Sequence, residues 1–187
     1  MANRVRRWTG LLVCALGTFV PRPATSQAPI SPGATADSRD VATADAVVAT
    51  LYDVISGPAG QKRNWDRFRS LFAPGARLIP TSVGADGIGH IRVLTPDDYA
   101  TLVGPRLEEG GFFEREIGRT IDTFGKVTQL FSAYESRRTA ADEKPFARGI
   151  NSIQLLNDGA RWWVVSIYWD SERGDNPIPA KYLKPRP

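Results

Sequence analysis

Apolar and polar positions follow two periods along this chain, and the switch between them divides it. Over 41–55 the residues Val47, Val48, Leu51, Tyr52, Val54 and Ile55 recur at helical spacing, and Gly57-Pro58 stops the run. Asn64 can cap a shorter helix over 65–72, with Trp65, Phe68, Leu71 and Phe72 on one face and Ala73-Pro74-Gly75 at its end. Two short strands, 76–82 and 88–94, flank a turn rich in glycine. Thr95-Pro96-Asp97-Asp98 then starts a third helix. Thr95 caps it, Pro96 takes a position that needs no amide donor, and the two acids face the positive end of the dipole. Its buried stripe is Tyr99, Leu102, Val103 and Leu107, and Gly110-Gly111 closes it. From Phe112 the period becomes that of a strand, in four long runs over 112–124, 126–139, 146–157 and 160–170. Helices first and an antiparallel meander afterwards is an α+β arrangement, with the sheet curled around the helices and a cavity between them.

The last two runs organise the rest. Asn157-Asp158-Gly159 joins them, a strong hairpin signal because Asp and Gly tolerate the backbone of tight primed turns. Strict alternation points Trp162, Val164, Ser166 and Tyr168 to one side and Trp163, Val165, Ile167 and Trp169 to the other. Both faces are largely apolar, so both need cover. One cover is the core. The other is a second layer, a second chain, or the N-terminal or C-terminal segment folded back.

Charge changes the picture mainly at the N-terminus. The chain carries a net charge of +4, yet Arg4, Arg6, Arg7 and Arg22 all fall within residues 1–26, which hold no acid. An arginine-rich start, an apolar run over 8–20 and small residues at Ala24-Thr25-Ser26 read as a secretory signal peptide, cleaved after Ser26 or after Ala28. The expected location is therefore outside the cytoplasm, with no membrane attachment after cleavage. The basic balance is a targeting feature and not a nucleic-acid footprint. Cys14 leaves with this segment, and Val13 before it does not suit lipid attachment. Residues 27–40 read as a Pro-rich linker, 41–172 as one domain and 173–187 as a solvated basic tail containing Lys181, Lys184 and Arg186. With one histidine the chain cannot build a multi-histidine metal site, no calcium-loop pattern occurs, and no cofactor is expected.

The element order, the opening LYDVIS…WDRFRSLFAPGARL and the closing DGARWWVVS resemble the nuclear transport factor 2-like superfamily, and the run from FSAYESRR to SIYWD is similar to an uncharacterised bacterial, SnoaL-like branch of it. The resemblance covers 41–172. It implies a cone-shaped α+β fold, in which a curved antiparallel sheet packs on three helices from the N-terminal half. It also implies a pocket in the cone and, often, a homodimer across the outer sheet face. Trp163, Val165, Ile167 and Trp169 are the interface candidates. Ketosteroid isomerases of this superfamily pair an acidic base with an oxyanion-stabilising Tyr and a neutral Asp. Tyr52 lies on the right sort of helix, but no acid partner can be placed from the sequence. Scytalone dehydratase uses more histidine than this chain has.

Polar residues inside apolar strand runs are the remaining clue, since burying one unpaired costs roughly 1–3 kcal/mol. Glu135, Arg137, Asn151, Ser152, Gln154, Ser166 and Asp170 qualify. Glu135, Arg137 and Asn151 could form a cluster at the cone mouth that binds a ligand's polar head, or a self-satisfied network. Tyr52, Trp65, Tyr134 and Ser166 complete the ligand-binding set. Glu114, Arg115, Glu116 and Arg119 alternate in sign and read as a solvated edge or as cross-strand salt bridges. Three functions remain open. The first is an exported domain that binds a small, partly apolar molecule. The second is a lyase, isomerase or hydrolase using His90, Glu135 or Asp170 as base. The third is an interaction module with a filled core.

Overall fold

The computed structural model describes residues 35–183. Residues 1–34, which hold the expected signal peptide and part of the expected linker, and residues 184–187 of the expected tail lie outside the described residues. The helix expected over 41–55 is α2, Ala44–Ile55, and a separate turn of helix precedes it: α1, Ser38–Val41, whose first three residues fall in the segment expected to be linker. Asp37 and Thr43 each accept a backbone N–H and restart the helical ladder. Helix α3 spans Trp65–Arg69, capped by Asn64 as the sequence predicted. It is shorter than expected because Phe72 already belongs to β1, Phe72–Val83. Strand β2 is Gly89–Ile91. Helix α4, Pro96–Leu102, starts with a full capping box between Thr95 and Asp98. The stripe expected to run unbroken to Leu107 is interrupted at Val103, and α5, Gly104–Gly110, carries its second half with a proline in its first turn.

Strands β3 (Phe113–Phe124), β4 (Val127–Arg137), β5 (Ala147–Asn157) and β6 (Trp162–Ser171) form the predicted meander. The curved sheet has the order β2-β1-β6-β5-β4-β3. One pairing departs from the antiparallel expectation: β1 runs parallel to β6, so the sheet is mixed. Helix α2 lies across the concave face. Val47, Val48, Leu51, Phe68, Leu71, Leu130, Ile153, Leu155 and Val164 form the buried core between the layers.

Two bulges set which side chains enter that core. In β6, Leu155 pairs with Val164 and Gln154 with Ser166, so Val165 is the extra residue. The inward set becomes Trp162, Val164, Ile167 and Trp169, and the outward set Trp163, Ser166 and Tyr168. Strict alternation placed Ile167 and Trp169 outside; the bulge corrects this. In β3, Glu116 pairs with Tyr134 and Gly118 with Ala133, which makes Ile117 the extra residue. Glu114, Glu116 and Arg119 therefore share the inner face.

The tail is not loose over the described residues. Residues 173–183 turn back across the convex face. Arg173 clasps Asp170, Ile178 donates its N–H to Glu172, and the Tyr182 ring stacks on Phe131 with 5.3 Å between centroids. Gly118 lets the strap pass: a Cβ there would collide with the backbone of Tyr182 and Leu183.

Candidate functional site

The cone is hollow. A cavity of about 310 Å³ lies between the helices and the sheet, lined by α2, α4, the α4–α5 junction and strands β1, β3, β4, β5 and β6. A core filled by Trp and Phe is therefore not what the chain builds. The walls are mostly aliphatic and aromatic, among them Leu51, Phe68, Tyr99, Phe112, Ile153 and Trp169. Among the described residues no Lys, Arg or His lines it, and Glu114 is its sole carboxyl.

The position of Glu114 follows from local structure. Gly57 and Phe112 exchange backbone hydrogen bonds of 2.7 and 3.0 Å, which ties the end of α2 to the start of β3. Ser56 Oγ donates to the Tyr52 carbonyl at 2.6 Å and accepts the Glu114 N–H at 3.0 Å. This fixes the residue's backbone, and its register opposite Ser136 turns the side chain inward. Ser136 Oγ donates to Glu114 Oε2 at 2.7 Å, and the Asn151 side chain bonds to the same carboxyl. The residue is half-buried and borders both the cavity and a second recess beside Asp53 and Arg137. Burial pushes its pKa up to about 7, and the bonds from Ser136 and Asn151 pull it down by less. Burial raises the three nearby phenols and the negative charge adds to it; Tyr134 reaches about 12 although its hydrogen bond with Ser171 pulls it down.

A polar chain leads away from this carboxyl. Asn151 Nδ2 donates to the Tyr52 hydroxyl at 3.1 Å, which lies 2.7 Å from Ser132 Oγ. Ser132 donates to Glu116 Oε1 at 2.5 Å, so Tyr52 supplies the proton to Ser132. Glu116 also holds Arg119 through two oxygens, and Arg119 reaches Asp45 at 2.7 Å. Burial opposes the charge on Arg119, but Glu116 and Asp45 keep its pKa above the ordinary value. Of the solvated edge or cross-strand salt bridges expected of Glu114, Arg115, Glu116 and Arg119, the exposed Arg115 does bridge to Glu135 opposite it on β4, but the solvated edge is corrected: Glu114 and Glu116 face inward and the bulge adds Arg119 to them.

The other candidates separate by face. Tyr52, Tyr134 and Asn151 line the cavity, and Ile167 and Trp169 join them there, away from the outer face assigned to them. The proposed Glu135–Arg137–Asn151 cluster does not exist. Ser132 pairs with Asn151, and Glu135 lies three residues beyond Ser132, so the two side chains take opposite faces. On the convex face Glu135 binds Arg115 at 2.5 Å and Arg137 more closely still. Burial raises its pKa, but those two guanidinium groups outweigh it and hold the carboxyl below its ordinary range. Ser166 is also outside, bonded to Gln154. Trp65 packs edge-on to Phe68 and donates its indole N–H to Glu108 at 3.0 Å, clear of the cavity wall. Asp170 is held at about 2, first by the hydrogen bond from Arg173, with Thr81 adding a 2.7 Å bond. A carboxyl so engaged is a poor base. His90 sits exposed on β2, remote from the cavity lining. Of the outer-face quartet, Trp163 and Val165 stay outside; Arg161 stacks on the Trp163 ring at 3.6 Å, and Val165 is 40% exposed.

No protein-family model matches the chain, and no curated protein matches it. Solved structures do. One is a protein from Nostoc punctiforme described as having a cystatin-like fold, of unknown function. It has 11% identity over 68% of this chain and 87% of that one, with a TM-score of 0.51. An NTF-2 like protein of unknown function from Silicibacter pomeroyi has 14% identity over 70% of this chain and 94% of that one, with a TM-score of 0.48. An NTF2-like protein from Shewanella baltica, also of unknown function, has 16% identity over 68% and 90%, with a TM-score of 0.42. These likenesses bear on fold alone. The class that this architecture defines is an α+β cone, a curved sheet packed on helices, as the element order implied.

Proposed function

We propose that this is an exported cone-fold domain that binds one small, largely apolar molecule, whose single polar group meets Glu114 and Asn151. The observation that carries the reading is the hollow itself. About 310 Å³ lies at the lower end of small-molecule sites, and its apolar wall has a few convergent polar groups. An empty space of that size weakens a core by lost contacts, so it is a poor design without an occupant. Calorimetry with butylbenzene tests it. One molecule binds the parent, and Val103→Trp, which fills the hollow from the α4–α5 junction, removes binding without unfolding the domain. No binding by the parent contradicts the reading. Export rests on the arginine-rich start and the apolar run after it. Mass spectrometry of protein from the exported fraction checks it, with a chain beginning at Gln27 or Pro29 expected.

A second reading, proton transfer by an isomerase or lyase, is favoured by one observation: burial brings Glu114 close to neutrality, where a carboxyl can both take and give a proton. Tyr52 would not serve there as an oxyanion donor, because its proton points to Ser132. The test is incorporation of solvent deuterium next to the carbonyl of a bound ketone. The parent incorporates it and Glu114→Gln does not, if the reading holds.

A further inference from the structure

Glu114 is a carboxyl supplied with hydrogen-bond donors but no cation. Ser136 Oγ and the Asn151 amide both donate to it, which is the arrangement that serves an ionised acceptor. The charged groups nearest along its own strand are committed elsewhere. Arg115 pairs with Glu135 on the convex face, and Glu116 is held by Arg119 and Ser132. Among the described residues, the polar side chains that share the cavity wall with it are Tyr52, Tyr99, Tyr134, Ser136 and Asn151, and Trp169 adds an indole; none is positive. Arg115, Arg137, Asp53 and Asp142 line a second, polar recess that Glu114 also borders, and both of those arginines are paired with Glu135.

The rest of the wall is unusually aromatic for a site with one negative group. Tyr99, Tyr134, Phe112, Phe146 and Trp169 all contribute rings. Aromatic rings attract cations through their quadrupole, most strongly where water is excluded. An anionic ligand would meet a carboxylate with no compensating charge. A neutral ligand would leave the ionised carboxylate unpaired in an apolar hollow.

We propose that the natural occupant is a hydrophobic amine, its apolar body filling the cone and its ammonium group paired with the Glu114 carboxylate among the aromatic rings. This rests on the cavity being a binding site and specifies what it selects.

Three probes with one skeleton test it: phenylbutylamine, phenylbutanol and phenylbutyrate, by calorimetry at about pH 8, where Glu114 is mostly ionised. The amine should bind the parent at least about tenfold more tightly than the alcohol, and the acid should not bind. Glu114→Gln should erase the preference for the amine, so that amine and alcohol bind the variant alike. On the unmodified protein, lowering the pH to about 5 should weaken the amine as Glu114 takes up a proton and leave the alcohol as it was. Equal binding of amine and alcohol by the parent, or a preference that survives both the substitution and the pH change, overturns the assignment and leaves the cavity reading intact. Failure of all three probes to bind overturns both.

Discussion

Glu114 is the residue whose environment differs most from what its neighbours in sequence suggest. Its charge costs free energy in the folded state, and the sign of the pH dependence follows. The folded pKa of about 7 exceeds the ordinary 4.5, so the stabilising proton is fully bound below about 4.5 and lost as pH rises through 7. The parent should therefore lose stability across that window, by up to about 3 kcal/mol. Glu114→Gln should flatten the slope and be the more stable protein at about pH 8. Urea unfolding at several pH values reads this directly; parallel curves for the two proteins would contradict it. Arg63 is a second residue whose role lies in what surrounds it. Its guanidinium donates to the carbonyls of Ile55, Gly57, Gln61 and Leu107, at 2.6–3.2 Å, closing the ends of α2 and α5. Arg63→Ala should cost roughly 3 kcal/mol, because those buried acceptors are left unpaired.

At the scale of elements, the sequence was informative wherever one residue type answers one geometric demand. Thr95 with Asp98 fixed the start of α4, Asn64 that of α3, and Asp158-Gly159 the last turn. The four long strands fell where the period changed. The site was far less legible, and the reason is specific. Two residues, Ile117 and Val165, are each one more than their partner strand can match. A bulge carries no composition signal of its own, and each one inverts the face of everything after it. That inversion moved Ile167 and Trp169 into the cavity. It also placed Arg119 beside Glu116, so an alternating charge run that looked solvated contains a buried ion pair. Glu114 needed no bulge to face inward. Its charged neighbours mark it as surface in the sequence, and only its register opposite Ser136 reveals its side. The glycine at 118 tests the strap that crosses this same bulge. Gly118→Ala should lift residues 176–183 from the sheet, seen as faster proteolysis near Tyr182 with little change in the cavity. Unchanged proteolysis would mean that the strap tolerates the methyl.

For the whole molecule, the convex face is shared between the strap and open surface. The strap's Tyr182 covers Phe131, while Trp163, Val165 and Tyr168 remain on the outer side and Phe124 at the hairpin tip is 90% exposed. A homodimer across this face therefore stands as a proposal with a smaller footprint than four residues of β6 in strict alternation would give. Sedimentation should show a dimer in the parent and a monomer after Val165→Glu with Tyr168→Glu; a monomeric parent would end the proposal. The claim on which ligand, pH response and chemistry all depend is that one carboxyl, set in an apolar hollow without a cation, titrates near neutrality. Carbon-detected magnetic resonance of the glutamate side chains, with Glu114→Gln to assign the signal, measures it. The account predicts a Glu114 midpoint near 7; a midpoint at the ordinary 4.5 would show that water or a counter-charge reaches the group, and would contradict it.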